Sequence, residues 1–293
     1  MALVKGIAWG RDFIQRIRSE DFMVHSVFQS VCNLQAHPAK PLLSLVNRPE
    51  ALAPNALLVE ESSFRGVCRA GEKVQVEALR LRCGEYWVDC RIMLEKVRKP
   101  LAILSGQTAL KTVETWLEIY FPGFKAEYSP LRQSLKQALL QEDAVLLQAA
   151  LSKLIGAGSG LTPAGDDFAA GVLLAYTRGI CAAGHNKGLP AVSGPKEGFS
   201  VDMVEIVQAL LPSTNAISQT MLAYAVQGEG AQYVTAVVDG IYGNAADVVA
   251  AASELSRIGA SSGRYLLAGV LLGCEIYQMR FLNSKENSAC AEP

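Results

Sequence analysis

Apolar and polar positions follow two different periods along this chain. From Asp21 to about Met93, apolar residues alternate with polar ones and β-branched residues recur, which is typical of half-buried strands. The alternation slips between Val76 and Leu79, which predicts a bulge there. Pro, Asn, Gly and Ser interrupt the pattern and predict strands at 41–46, 56–60, 73–81 and 86–94. This part of the chain therefore predicts a small β domain or barrel, mostly antiparallel.

A helical period replaces the alternation after Lys99 and Pro100. Apolar residues then recur every three or four positions, as on the buried stripe of a helix. This spacing predicts helices over 105–119, 129–154, 163–181, 202–211, 213–227, 243–258 and 262–282, with an exposed loop at 183–200 and a frayed end after 283. The predicted fold class is α+β: an N-terminal, mostly antiparallel β domain over 1–100, followed by an all-helical C-terminal domain over 101–293.

One stretch of the helical half has a distinctive composition. Residues 156–167 read Gly-Ala-Gly-Ser-Gly-Leu-Thr-Pro-Ala-Gly-Asp-Asp, and an apolar run follows from Phe168 to Tyr176. Glycine permits positive φ and close backbone approach, while Thr162 can cap a helix and Pro163 suits its first turn. The stretch predicts a tight glycine loop that leads into a buried helix. Unpaired N–H groups at such a start favour an anion, since they act together with the helix dipole.

Two adjacent carboxylates, Asp166 and Asp167, argue against a simple phosphate site. They suit the helix dipole but would repel a bare anion. The pair fits a cation such as Mg²⁺ that bridges it to a ligand, or the protons of an amide or amine. The motif is neither a Walker loop, which needs a following Lys, nor the dinucleotide fingerprint, because the preceding segment is helical. The alternative is a structural turn with a helix cap and two acids that favour the dipole.

The glycine loop has an echo near the end of the chain. Residues 155–160 resemble 258–263, and the glycine spacing around Gly171 resembles that around Gly269. An internal glycine costs a helix about 1 kcal/mol relative to alanine, so a matched pair predicts two helices in close contact. Both helix starts would then face one shared pocket. Chance similarity between glycine-rich helix starts is the alternative.

Several residues outside the first motif are candidates for binding a substrate anion. Arg264 follows the second bend, which contains Ser262 and Gly263, and is the best-placed cation. Ser218 belongs to a hydroxyl-rich helix start, and His25 is of the residue type best suited to proton transfer near neutral pH. The alternative for the hydroxyl-rich start is N-capping by Ser213 or Thr214. The alternatives for Arg264 and His25 are a solvated helix-start position and a core or surface position.

Composition narrows the classes of function. The 293 residues carry a formal net charge of −1 and are 50% hydrophobic, enough for a sizeable core. Without a basic field, we expect neither nucleic acid nor a membrane surface as partner. Seven scattered cysteines indicate reduced thiols and a cytoplasmic protein. The charged residues 1–20 do not resemble a signal peptide. Apolar runs such as 265–274 are too short to cross a bilayer. No Cys/His cluster has the spacing of zinc ligands.

Three segments together resemble one known family. They are residues 158–167, 214–228 and 258–273, and a weaker likeness covers 24–28 and 33–34. The chain is similar to the family that includes the allantoin-operon subunit of oxamate carbamoyltransferase. The second motif of that family commonly reads Gly-His-Thr-Ser-Gly-x-Asp. Residues 259–265 read Gly-Ala-Ser-Ser-Gly-Arg-Tyr instead, without the His and the Asp.

The resemblance implies an activity and a main site. The family transfers a carbamoyl group between oxalurate and phosphate, giving oxamate and carbamoyl phosphate, in a complex with two other proteins. By that resemblance, the main site falls on Gly158, Gly160, Thr162, Asp166 and Asp167. We therefore expect a subunit of a carbamoyltransferase-type enzyme with a small anionic substrate, acting on oxalurate and carbamoyl phosphate or on a related small acyl substrate. The alternative is a non-catalytic, anion-binding assembly or regulatory subunit of a multi-protein metabolic enzyme.

Combining the motifs with the resemblance gives each candidate residue an expected role. Catalytic roles go to Asp166, Asp167 and Thr162. Mg²⁺ is a candidate cofactor, with the same two aspartates as its ligands. Binding of substrate or phosphate is assigned to Gly158, Ser159, Gly160, Ser262, Gly263, Arg264, Ser218 and His25.

Overall fold

A computed structural model describes most of the chain. The described residues are 2–77, 80–83, 86–90, 94–95, 101, 103, 107–122, 129–185 and 198–282. The chain divides into two compact units, Met1–Lys99 and Pro100–Pro293. The first is built mainly of strands and the second of helices. The predicted frayed end and most of the predicted 183–200 loop lie outside the described residues.

Nine described strands form the sheet of the first unit. They are β1 Ala2–Trp9, β2 Phe22–Val27, β3 Val31–Gln35, β4 Leu43–Val46, β5 Ala56–Val59, β6 Lys73–Glu77, β7 Arg80–Cys83, β8 Tyr86–Asp89 and β9 Leu94–Glu95. Their order is β5-β4-β3-β2-β6-β7-β8-β1, and β1 pairs back with β5, so that eight strands close into a barrel. Strand β9 also pairs with β1. The short helix α1, Arg11–Ile17, contributes Phe13 and Ile17 to the barrel core.

The prediction of a mostly antiparallel β domain is wrong about the topology. The barrel is closed and mixed: β1 runs parallel to β8 and β9, and β4 runs parallel to β5. The link between β4 and β5 passes through a 3₁₀ helix, Pro49–Ala51, which allows the parallel pairing. Alternation along a strand reports which side is buried but not the direction of its neighbour. Together with the helices that follow, this mixed barrel gives an α+β chain.

One predicted strand is in fact two. The stretch 73–81 contains β6 and the first two residues of β7, and these strands pair as an antiparallel hairpin with Glu77 opposite Arg80. Residues 78–79, beside the predicted bulge, lie outside the described residues. The described residues on either side are therefore two paired strands and not one.

Helices fill the second unit. The described ones are α2 Gln107–Tyr120, α3 Ser129–Gln141, α4 Ala144–Leu154, α5 Ala164–His185, α6 Phe199–Leu210, α7 Ala216–Ala225, α8 Gln232–Tyr242, α9 Val248–Ser256 and α10 Ser262–Tyr277. One hydrophobic core joins them. Helices α5 and α10 are buried on nearly every side, which is why their sequences are apolar all round.

Helices α5 and α10 touch along a seam of glycines. A Cβ on Gly171 would lie 2.8 Å from the amide nitrogen of Val270 and 3.0 Å from Cα of Gly269. A Cβ on Gly273 would lie 2.9 Å from Cβ of Ala175. Only glycine lets the two backbones come this near. The predicted close contact between two glycine-containing helices is therefore confirmed.

The last helix extends beyond the uninterrupted apolar run 265–274 and covers the predicted range 262–282. A π-helix, Gln278–Leu282, continues α10, and Ser262–Leu282 as a whole is long and apolar enough to cross a membrane. It is the one such helix among the described residues, and 72% of its apolar window is buried inside the unit. Its apolar composition is thus accounted for by its place in the core.

Candidate functional site

The glycine motif folds as a tight bend ahead of α5. Gly156, Gly158 and Gly160 adopt positive φ values of 84°, 117° and 103°, a region that favours glycine. A Cβ on Gly156 would collide with the carbonyl oxygen of Ser213, and one on Gly158 would lie 2.8 Å from the amide nitrogen of Ala164. Gly160 has open space around it. The first two glycines are thus required by packing and by conformation, and the third by conformation alone.

The exposed part of the bend, residues 158–161, presents backbone amides. Among the described residues, no backbone acceptor is found for the amides of 158–162. The first turn of α5 offers fewer donors, because carbonyls of the bend already accept the N–H groups of Gly165 and Asp166. The donors available to an anion therefore lie in the loop more than on the helix.

The starts of α5 and α10 meet at one hydrogen bond. The hydroxyl oxygens of Thr162 and Ser262 are 2.7 Å apart, although the two residues are 100 positions apart in the chain. Thr162 ends the glycine bend, and Ser262 is the first residue of α10. Further along, Gly171 packs against Gly269, so the helices run side by side in the same direction. Both N-termini, with their positive dipole ends, lie together.

Asp166 ties the bend to a third helix. It is buried, its Oδ1 accepts the N–H of Gly156 at 2.6 Å, and its Oδ2 accepts the hydroxyl of Thr214 at 2.5 Å. Thr214 directly precedes Asn215, the N-cap of α7. Both oxygens of Asp166 are therefore engaged in holding the bend and the start of α7 together.

Asp167 is equally buried but has no such bonds. It is 1% exposed, and neither carboxylate oxygen has a hydrogen-bond partner among the described residues. Burial raises the pKa of Asp167 to about 7; the nearby hydroxyls of Ser262 and Thr162 oppose this, and the charge of Asp166 adds to it. The two hydroxyls bond to each other and do not reach hydrogen-bond geometry with the carboxylate. A buried, unpaired carboxylate at a helix start is a candidate ligand-binding group.

The two aspartates do not form a ready-made metal site. The oxygens of Asp166 already accept hydrogen bonds from Gly156 and Thr214. Within the described part of the chain, no group of three His, Cys, Asp or Glu side chains could hold a metal ion. A Mg²⁺ ion at Asp167 would take its other ligands from substrate or water, and its presence stays a prediction.

The other candidates of the helical unit fall in different places. Ser218, in α7, is buried, and its hydroxyl has no partner among the described residues. Gly263 is required by packing, because a Cβ there would collide with a backbone carbonyl of α9. The guanidinium of Arg264 lies 5.3 Å from the ring centroid of Phe121 and donates to the carbonyl of Ala260. The binding roles of these residues stay predictions.

His25 belongs to the barrel unit. It lies in β2, is partly exposed, and its Nδ1 is 3.1 Å from the hydroxyl oxygen of Ser26. This hydrogen bond holds the imidazole in one orientation. A substrate-binding role for His25 stays a prediction.

Tyr233 is a neighbour of the site that sequence analysis missed. Burial and the charge of Asp167 raise the pKa of Tyr233 to about 12. The residue lies in α8, which packs against α5. A single tyrosine on an amphipathic helix has the sequence pattern of a core residue. Its proximity to Asp167 is therefore visible only in the packing of α8 against α5.

Family models match both units of the chain, and both describe subunits of one class of transferase. Residues 154–274 match the family described as oxamate carbamoyltransferase subunit AllH, and residues 5–99 match the AllH family N-terminal domain. The chain therefore belongs to the AllH family of oxamate carbamoyltransferase subunits. Membership in a subunit family implies protein partners. No solved structure matches the chain.

Proposed function

We propose that this chain supplies the substrate site of an oxamate carbamoyltransferase, in a cytoplasmic complex with two further subunits that serves allantoin catabolism. The observation that carries the proposal is Asp167, a buried carboxylate without a partner among the described residues, beside the contact of Thr162 with Ser262. Such a group is stabilised when a ligand brings donors to it. Oxalurate and carbamoyl phosphate both carry an NH₂ group that can do so.

The proposed reaction joins phosphate to the carbamoyl carbon of oxalurate. An oxygen of hydrogen phosphate forms a new C–O bond, and the C–N bond to the oxamate nitrogen breaks with its electron pair on nitrogen. The proton of hydrogen phosphate ends on that nitrogen, which gives oxamate and carbamoyl phosphate. A carboxyl group with a pKa of about 7, such as Asp167, can carry this proton because both of its forms are present at neutral pH.

The residues around Asp167 have complementary roles in this proposal. The exposed amides of 158–161 bind phosphate oxygens. The hydroxyls of Thr162 and Ser262 stabilise the oxyanion that develops on the carbamoyl oxygen. Asp167 accepts the N–H groups of the carbamoyl end. Asp166 does not touch the substrate and acts by holding the bend in place, as its two hydrogen bonds suggest.

The test is Asp167→Asn in the complex reconstituted with its partner subunits. Formation of carbamoyl phosphate from oxalurate and phosphate is measured, together with complex formation by size-exclusion chromatography. We expect kcat to fall by about 100-fold or more with the complex intact. Ser152→Ala is the control, because this serine is exposed and its hydroxyl donates to a carbonyl of its own helix.

Loss of a catalytic proton carrier lowers kcat by at least about 100-fold. A kcat of the Asp167→Asn complex within about threefold of that of the natural complex would therefore overturn the proposal. If complex formation or the response to phosphate changed instead, the chain would be a non-catalytic assembly or regulatory subunit.

A further inference from the structure

A polar ladder crosses three strands of the barrel and ends at His25. In the strand register, Ser26 of β2 lies opposite Asn33 of β3, and Asn33 lies opposite Ser44 of β4. The side chains follow the same line. The Ser44 hydroxyl donates to Asn33 Oδ1 at 2.8 Å, and Asn33 Nδ2 donates to Ser26 Oγ at 3.0 Å. Ser26 Oγ in turn lies 3.1 Å from His25 Nδ1.

His25 itself is the extra residue of a β-bulge. The register of β2 and β3 steps from Val24 opposite Leu34 to Ser26 opposite Asn33, which leaves His25 unpaired between them. Bulges redirect a side chain and occur often beside functional sites. In this barrel, the bulge brings Ser26 into line with Asn33 and sets the imidazole at the end of the ladder.

The ladder has a direction. Asn33 is buried, and an amide can only accept at its oxygen and only donate at its nitrogen. Asn33 donates to one lone pair of Ser26 Oγ, which leaves this hydroxyl its hydrogen and a second lone pair. Among the described residues, His25 Nδ1 is the acceptor within reach of that hydrogen, and this arrangement directs the hydrogen to Nδ1. His25 Nδ1 is then the acceptor, and the proton of the neutral ring sits on Nε2.

We propose that His25 is a ligand-binding group of the barrel, whose Nε2–H donates to an oxygen of a small carboxylate. In this proposal Ser26, Asn33 and Ser44 are positioning residues that fix its tautomer. The ladder, the bulge and the partial exposure of His25 support it together. The choice of a carboxylate as ligand rests on the proposed function, whereas the tautomer does not.

The tautomer is tested by ¹⁵N–¹H NMR of the histidine rings in the purified full chain at a pH where they are neutral. We expect the proton of His25 on Nε2. In Asn33→Asp the new carboxylate accepts hydrogen bonds from both serine hydroxyls, so Ser26 Oγ becomes the acceptor and the His25 proton moves to Nδ1. His37 is the internal control, because its Nδ1 accepts the N–H of Ala39 at 3.1 Å and is unconnected to the ladder.

Ser26→Ala is the second variant, which keeps the test decisive if Asn33→Asp fails to fold. Without the hydroxyl, His25 is expected to populate both tautomers. A His25 proton on Nδ1 in the natural chain, or a tautomer unchanged by the variant that folds, would overturn the ladder.

Added oxamate tests whether His25 binds a small carboxylate. We expect added oxamate to shift the His25 Nε2–H resonance. The affinity of the variants for oxamate should be about tenfold weaker, because they lose one hydrogen bond to a charged group. Unshifted His25 signals in a chain whose complex still converts oxalurate would remove the ligand role but leave the proposed reaction standing. If oxamate shifts the His25 signal but the Asp167→Asn complex stays active, the ligand role of His25 stands and the proposed reaction is overturned.

Discussion

Gly171 of α5 and Gly269 of α10 face each other with no room for a side chain on either. A Cβ on Gly269 would lie 3.0 Å from Cα of Gly171 and 2.9 Å from the amide nitrogen of Val172. Because the two helices run in the same direction, this contact fixes how far one is shifted along the other. It thereby sets the distance between Thr162 and Ser262, where the candidate site lies.

Replacing either glycine of this contact with alanine should destabilise the helical unit. Alanine gains about 1 kcal/mol of helix propensity over glycine, but its Cβ would meet backbone atoms that cannot move aside, as in an overpacked core. We expect Gly171→Ala and Gly269→Ala to lower the free energy of unfolding by a net of about 2 kcal/mol, measured by urea denaturation.

Gly160→Ala is the matched control for this contact. Gly160 has a positive φ, but a Cβ at this position would have no atoms within 4 Å, so its substitution should cost only conformational strain, about 1 kcal/mol. Equal losses at Gly160 and Gly171 would show that the seam is not tightly packed.

The stability of the natural chain should fall as pH rises from about 4 to about 7. Over this interval, folded Asp167 keeps a proton that the unfolded chain releases, because burial raises its pKa from 3.8 to about 7. The free energy of unfolding therefore decreases with pH, by at most about 4 kcal/mol. Asp167→Asn should match the natural chain at pH 4 and be more stable by about 2 to 4 kcal/mol at pH 8. Urea denaturation at both values checks this, and an identical pH dependence in the variant would contradict it.

Asp166 and Thr214 should be coupled in stability. Each single change, Asp166→Asn or Thr214→Val, weakens the hydrogen bond between α5 and the start of α7. We expect losses of about 1 to 3 kcal/mol for each and a coupling energy of about 1 kcal/mol or more in a double-mutant cycle. Thermal unfolding of the four proteins measures it. Additive losses would mean that the two side chains do not interact in solution.

The hydroxyl pair of Thr162 and Ser262 should couple the two helix starts. In a cycle of Thr162→Val and Ser262→Ala, we expect an interaction energy of about 1 kcal/mol. Both single variants should also lower kcat for carbamoyl phosphate formation in the reconstituted complex, because both hydroxyls stabilise the oxyanion in the proposed reaction. Gln227→Ala serves as the control, since this exposed side chain donates to a carbonyl of α7. A cycle with no interaction energy would contradict the contact.

Thiol labelling should separate the cysteines by burial. Cys181 is exposed, whereas Cys32, Cys68, Cys83, Cys90 and Cys274 are buried. We expect a maleimide to modify Cys181 in the native protein within minutes and the buried five only after denaturation, as read by peptide mass spectrometry. Rapid native labelling of Cys32 or Cys83 would contradict the closed barrel.

The sequence predicts the helix start at the glycine motif and the close contact of α5 with α10 because both depend on short-range rules. Glycine is required where φ is positive or where backbones touch, and these requirements are visible as spacing around Gly158, Gly171 and Gly269. The different bonding of Asp166 and Asp167 is not visible in this way. It depends on Thr214, a residue from another helix that only the folded chain brings near.

The pairing of the barrel strands, in contrast, could not be predicted from the sequence. Parallel partners of β1 come from residues 86–95, and nothing in the alternation of residues 2–9 marks that choice. The bulge at His25 shifts the register of β2 and β3 by one residue. Propensity arguments locate strands but do not fix register, because register is decided by the packing of several strands at once.

The placement of β1 also has a consequence for synthesis on the ribosome. Residues 2–5 leave the exit tunnel well before their parallel partner β8, Tyr86–Asp89, which is among the last strands of the barrel to appear. Until then, the nascent chain carries an open strand edge, which invites association with other chains. Fragments that stop short of Tyr86 should therefore aggregate, and co-translational chaperones would find their binding segment in β1.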